Sequence, residues 1–313
     1  MIFVDRLIKE IQKKKSHIVI GLDPAFELFP PQLQRNANTI AQVGKKIFMF
    51  NKAIIDCTYD LVPAVKPQIA FYEKYGLDGL YAFTKTVKYA KEKGLIVIED
   101  AKRNDIGSTA LAYSDGHIGK TRIKNKLIPI FDVDAITVNP YLGSDGVLPF
   151  ISDVNKYHKG IFILVKTSNK SSVELQDVLV NYKKKTIKFY ELVAYYVNEW
   201  ASNCMGNRGY SSVGVVVGAT FPKEASNLRK LLPTSYFLVP GYGVQGGKAE
   251  DMIRFFNRDG LGALISSSRG INYAYLFDEN EKANKFDVAA RNAAIRMNDS
   301  INNILYKNNL LKW

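Results

Sequence analysis

The stretch "DAKRNDIGST" (100–109) places Asp100, Lys102 and Asp105 within six residues, directly after "LIVIE", an apolar β-branched run suited to a buried strand. An ammonium and a carboxylate held where water is partly excluded can stabilise developing negative charge and deliver a proton. Asp100 and Lys102 are two apart, so on a strand they share one face. Asp105 breaks that period and lies beyond the run, where a turn aims it away from its own strand's site. Lys66 ends another apolar run, "AVKPQ" (64–68), and would complete an array of two lysines and two aspartates. The bland alternative is a surface salt-bridge cluster, which is worth little energetically. Against it, such arrays are expensive to assemble without a substrate to complement them.

Two further stretches are shaped for an oxyanion. "PGYGVQGGK" (240–248) holds four glycines around Tyr242, Gly243 and Gln245. Glycine lets backbone N–H groups approach an anion closely and lets a loop move. "SSSRG" (266–270) sets Arg269 beside Ser268 and other small residues that free backbone donors. Either stretch alone could be only a turn; together they point to a phosphorylated ligand.

Eight short apolar runs must position these groups: residues 17–23, 64–68, 95–102, 135–139, 161–168, 214–220, 236–242 and 263–269. Each is followed by a helix-like stretch. Near-continuous hydrophobic strands alternating with amphipathic segments indicate a parallel sheet covered by helices, and eight units indicate a closed (β/α)8 TIM barrel. No linker interrupts the alternation, so residues 1–313 read as a single domain. The uneven spacing predicts loop and helix insertions after strands one, three and five, decorating the C-terminal mouth. Asp23, Lys66, Asp100, Lys102, Asn139, Ser168, Thr220 and Arg269 all fall at or near C-terminal strand ends, which in a barrel surround one mouth.

Composition sets the class. With 47% hydrophobic residues in 313, the core can be large. No run is long and apolar enough to span a membrane, and the N-terminus alternates charge at helical spacing, so a protein without a cleaved signal or membrane segment is expected. Cys57 and Cys204 share no metal-ligand or redox spacing, which fits a reducing cytoplasm. The net charge of +13 is dispersed. Its densest runs, "QKKK" (12–15) and "YKKK" (182–185), lack interleaved aromatics, so solvated helix faces are favoured over a nucleic-acid platform. His17, His117 and His158 lie far apart and are expected in ordinary core or surface roles.

Taken in order, "GLDP", "AVKPQIAFYE", "DAKRNDIGST", "ITVNPYLG", "VKTSN", "VVVGAT", "PGYGVQGG" and "SSSRG" resemble the orotidine 5'-monophosphate decarboxylase family, most closely its longer-chain branch. The resemblance implies decarboxylation of orotidine 5'-monophosphate to uridine 5'-monophosphate, the last step of UMP synthesis, with no metal or organic cofactor. By position, it makes Lys66, Asp100, Lys102 and the Asp105 of a second subunit the catalytic array, with Lys102 protonating C6. It assigns ribose hydroxyls to Asp23 and Lys66, the partner's nucleotide to Asp105, Ile106 and Thr109, and the pyrimidine to Ser168. Gln245, Arg269 and Ser268 would hold the phosphate, with Tyr242 and Gly243 shaping a closing loop. It further implies a homodimer with shared sites and a separate orotate phosphoribosyltransferase, free or associated, as supplier. Asn104 is left without a role. Two rivals stay open: a magnesium-dependent sugar-phosphate lyase using the same Asp-x-Lys-x-x-Asp core, and a basic nucleic-acid-binding protein, for which only the net charge speaks.

Overall fold

A computed structural model describes residues 1–243, 247, 249–277 and 283–313. Eight parallel strands close into a barrel: β1 (Ile18–Leu22), β2 (Ala64–Pro67), β3 (Ile96–Arg103), β4 (Ala135–Val138), β5 (Gly160–Lys166), β6 (Ser211–Val217), β7 (Ser235–Val239) and β8 (Ala263–Ser267). Each pairs with its neighbours in the chain, and β8 returns to β1 through Ile18↔Ile265 and Ile20↔Ser267. All eight expected strands are present. The sixth begins three residues earlier than its apolar run. Ser211 and Ser212 are polar but fully buried there, because their hydroxyls are used: Ser211 donates to the Ala201 carbonyl, and Ser212 accepts from the Val4 amide.

The pleat divides each strand between two cores. One parity, including Val19, Ala64, Ile96, Ile98, Ala135, Phe162, Tyr236 and Leu264, fills the lumen. The other, including Ile18, Ile20, Val65, Val97, Ile136 and Ile163, packs under the helices. Helix α1 (Phe3–Lys14) plugs the N-terminal end with Phe3, Leu7 and Ile8, and Phe3 meets Phe162 edge-on at 6.1 Å. Higher on the lumen parity, the side chains turn from apolar to polar: Val19, then Gly21 and Asp23; Ala64, then Lys66; Ile98, then Asp100; Ala135, then Thr137. A lumen sealed at one end and polar at the other has one mouth.

Outside the barrel lie α2 (Ile40–Thr58), α3 (Gly76–Glu92), α4 (Gly107–His117), α5 (Ser144–Tyr157), α6 (Phe189–Ala201), α7 (Pro222–Leu231) and α8 (Phe286–Lys307). Helix α2 starts where Thr39 caps it: Thr39 Oγ1 accepts from the Gln42 amide, and Gln42 Oε1 accepts from the Thr39 amide. Glu99, on the outward parity of β3, is fully buried and lies 2.7 Å from His117 Nδ1, which ties the far end of α4 to the barrel.

The insertions after β1 and β5 reach the mouth. The one after β3 does not, contrary to expectation. Its hairpin (Thr121–Ile123 paired with Lys126–Ile128) comes after α4, which has already crossed back toward the N-terminal face. There Phe131 donates to Gly116, and Lys91 holds Asp132. A long interval between strands does not say on which side of the intervening helix the extra residues fall. Neither cysteine is in a disulfide, and among the described residues no helix is long and apolar enough to cross a membrane.

Candidate active site

Lys66 and Asp100 stand at the tops of β2 and β3 on the lumen parity. Lys66 Nζ lies 2.8 Å from Asp100 Oδ2, and Lys102 Nζ lies 2.5 Å from Asp100 Oδ1. Burial disfavours the Asp100 carboxylate, but the charges of Lys66 and Lys102 outweigh it and hold its pKa well below the usual range. Lys66 is likewise opposed by burial, yet Asp100 and Asp23 raise its pKa above the ordinary lysine value. All of this favours the ionised forms of Lys66 and Asp100.

An aspartate between two lysines is not by itself a sign of chemistry in this chain. Asp56 sits between Lys52 and Lys93, Asp132 between Lys91 and Lys159, and Asp177 between Lys166 and Lys188. The one at Asp56 lies at the surface, and the one at Asp132 joins the half-buried Lys91 to the buried Lys159. The one at Asp177 anchors the insertion after β5, with the Lys166 amine fully buried beneath it. The Asp100 array differs in facing an open lumen, with only 14% of the Asp100 side chain exposed.

Two adjoining cavities meet at this array. One, of about 630 Å³, is lined by Lys66, Asp100, Lys102, Thr137, Ser168 and the apolar residues Leu164, Val216 and Leu238 among others. The second, of about 390 Å³, shares Lys66, Asp100 and Pro240 and continues past Asp23, Tyr242, Ser268 and Arg269. A charged centre thus has an apolar wall on one side and a polar, arginine-bearing recess on the other. Asp23 lines this recess, and its Oδ1 is buried and accepts no hydrogen bond from the described residues. Gly21 makes room for the recess: a Cβ there would overlap Ser268 Oγ. Gly218 does the same for Ser168, whose Cα would lie 2.7 Å from such a Cβ. Arg269 is exposed and forms no ion pair with the described residues.

The remaining expected site residues are placed differently. Tyr242 lines the recess, and its hydroxyl lies 3.5 Å from Ser300 on α8. Gly243 has φ +73, where a side chain would be strained, and donates to the Gly247 carbonyl. Gln245 lies outside the described residues. Asp105, Ile106 and Thr109 line neither cavity. Asp105 turns back to accept from the Ile106 amide at 2.8 Å, while Ile106 and Thr109 are exposed at the start of α4. Asn104 Oδ1 is buried without a partner among the described residues. Among the histidines, His17 is wedged between Phe256 and Trp313, and burial pushes its pKa down to about 3.

Thr137 is one of two site residues that sequence reasoning missed. Its hydroxyl accepts from the amides of Ala101 (3.0 Å) and Lys102 (2.9 Å) and donates to Asp100 Oδ1 (3.1 Å). The available clue was a polar residue at lumen parity in "AITVN". Gln176 was missed too. It fastens the β5 insertion to the mouth, accepting from the Thr167 amide at 3.0 Å and donating to Thr167 Oγ1 at 2.7 Å.

Fold and site together define a (β/α)8 barrel with a lysine–aspartate array at its mouth beside an arginine-bearing recess. Residues 16–286 match the model of the orotidine 5'-phosphate decarboxylase / HUMPS family, and the chain belongs to that family. An orotidine 5'-phosphate decarboxylase from Caldicellulosiruptor bescii is 43% identical over 305 residues, covering 96% of this chain and 98% of the relative. The structure of Leishmania donovani OMP decarboxylase matches with a TM-score of 0.74 at 31% identity, over 98% of this chain and 100% of that one. Leishmania donovani UMP synthase matches 97% of this chain at 32% identity with a TM-score of 0.75; the matched part is 56% of the synthase.

Proposed function

We propose that the chain decarboxylates orotidine 5'-monophosphate to uridine 5'-monophosphate, with Lys102 as the proton donor and no metal or organic cofactor. The observation that carries this reading is the Lys66–Asp100–Lys102 array facing the lumen next to a separate recess that holds Asp23 and Arg269. The names of the relatives support the same reaction. When the bond between C6 and the carboxyl carbon breaks, the electron pair stays in the plane of the ring, where conjugation cannot spread it. A fixed ammonium beside C6 stabilises that charge more than it stabilises the ground state, then transfers its proton to C6. Asp100 keeps Lys102 aimed, with its carboxylate 2.5 Å from the Lys102 amine, and its own charge crowds the substrate carboxylate. The ribose hydroxyls fall to Asp23 and Lys66, and Ser168 faces the pyrimidine.

The test is loss of substrate absorbance when the protein is mixed with orotidine 5'-monophosphate in EDTA. Full turnover is expected. Activity that requires added magnesium would overturn the cofactor-free reading in favour of a metal-dependent lyase. Among the described residues, no three His, Cys, Asp or Glu side chains come together as candidate metal ligands.

The phosphate takes no part in bond breaking, so Arg269 acts by turning remote binding energy into organisation of the charged array. Replacing Arg269 with alanine removes charge-assisted hydrogen bonds worth about 1.5 to 3 kcal/mol, so KM for the nucleotide should rise by about 10- to 100-fold. Orotidine without its phosphate is the control, and wild type and variant should process it almost equally. Equal impairment on both substrates would make Arg269 structural.

The same reading makes the active unit a homodimer. The backbone around Asp105 is flanked by exposed apolar side chains, with Ile106 53% exposed and Leu111, Tyr113, Tyr141, Leu142 and Leu148 also open. Such a patch beside a carboxylate that serves no site of its own suits a second copy of the chain. A cytoplasmic location, with substrate supplied by a separate orotate phosphoribosyltransferase, completes the proposal.

A further inference from the structure

Lys102 has φ +49, a left-handed conformation that a non-glycine residue keeps only when its surroundings hold it. The register of β3 on β4 shows why it arises. Glu99 pairs with Ile136 and Arg103 pairs with Val138, so four steps along β3 span only two along β4. Asp100, Ala101 and Lys102 therefore bulge out opposite a single residue, Thr137. Such bulges are rare between parallel strands and tend to sit beside active sites, where they re-aim side chains. Lys102 and Asp100 share the cavity because the bulge compresses them toward one level, and not by the regular pleat alone.

A bulge detaches amides from the ladder, and buried amides need acceptors. Thr137, itself buried, supplies the acceptor for both Ala101 and Lys102, and gives its proton to Asp100. A hydroxyl has one donor and two acceptor positions, and here all three are in use. Beyond it the ladder resumes, with the Asn139 amide donating to the Arg103 carbonyl. One side chain thus touches the backbone of the bulge and the carboxylate at the centre of the array. We propose that Thr137 is a positioning residue whose hydroxyl replaces the missing ladder partner, locks the bulge, and so fixes Lys102 against Asp100. The kinetic part of this proposal rests on the decarboxylase reading; the structural part does not.

The test compares Thr137→Val, which keeps the shape and removes the hydroxyl, with Thr137→Ser, which keeps the hydroxyl. Three quantities are measured: kcat and KM for orotidine 5'-monophosphate, affinity for uridine 5'-monophosphate, and hydrogen exchange at the amides of Ala101 and Lys102. For the valine variant, which loses all three hydrogen bonds of the hydroxyl, kcat should fall about 100-fold, and the two amides should exchange faster by a similar factor. Its KM and product affinity should stay within about threefold of wild type, because the recess is untouched, and the serine variant should restore all values to within about threefold. The proposal is overturned by a valine variant with near wild-type kcat, by product affinity falling in parallel with kcat, or by serine behaving like valine. It is also overturned if the wild-type amides of Ala101 and Lys102 exchange like those of an open loop, a measurement that needs no variant to fold. Should the wild type leave orotidine 5'-monophosphate unchanged, the decarboxylase reading fails, and the amide measurements still decide whether Thr137 locks the bulge.

Discussion

Replacing Lys102 with alanine is expected to lower turnover of orotidine 5'-monophosphate at least about a thousandfold, since on the proposed mechanism the variant loses both the fixed charge beside C6 and the proton donor. The fold should survive. The Lys102 side chain is 44% exposed at the mouth and packs into neither core, and its partner Asp100 keeps Lys66 at 2.8 Å and the Thr137 hydroxyl. Asp100 is therefore not left as an unpaired buried charge, which is what makes the loss of an ion-pair partner costly elsewhere. Affinity for uridine 5'-monophosphate should change by less than about tenfold if, as proposed, the product is held by Asp23, Ser268 and Arg269, which line the recess. Steady-state kinetics beside calorimetric titration with the product checks both halves. A variant that keeps a tenth of the wild-type kcat would show that the proton comes from elsewhere. Lys66 would be the next group to test, although its burial and its tie to Asp100 leave it less free to reach C6.

The barrel was legible because a buried parallel strand needs apolar residues on both faces, and "LIVIE" or "GVVV" can serve little else. The charged ends of those runs were legible for the converse reason: Lys66 and Asp100 would be too costly inside unless they opened on a site. What could not be read was the detail of how the strand delivers its charges. Period-two reasoning puts Asp100 and Lys102 on one face and reaches the right conclusion, but the observed geometry depends on a register slip against β4. A register slip is a property of a pair of strands, and no single stretch of sequence contains it. Thr137 was hidden for the same reason, since its role exists only opposite the bulge. The Lys–Asp–Lys sets at Asp56, Asp132 and Asp177 join residues 4 to 41 positions apart, so only the fold separates them from the array that faces the lumen.

The other large effect concerns Asp105, which lines neither cavity and whose carboxylate is turned to its own Ile106 amide. If it serves the partner's site, Asp105→Asn alone should be nearly inactive while each chain keeps a complete set of Lys66, Asp100 and Lys102. Mixing it with the equally inactive Lys102→Ala variant then makes the geometry visible. In a mixed dimer, the site built on the Asp105→Asn chain has its own Lys102 and receives an intact Asp105 from the neighbour. The opposite site lacks both. Random exchange makes about half the dimers mixed, with one good site in each, so activity should return to about a quarter of the wild-type value per site. Native mass spectrometry on chains of different mass establishes that exchange has occurred. Exchange without recovery would mean that Asp105 acts within its own barrel or not at all. The apolar side chains around it would then need another explanation, while Lys102, Thr137 and the Arg269 recess would be unaffected. Recovery would assign the exposed start of α4, from Ile106 to Thr109, to the wall of a neighbour's site, and would explain why Asp105 lines neither cavity of its own chain.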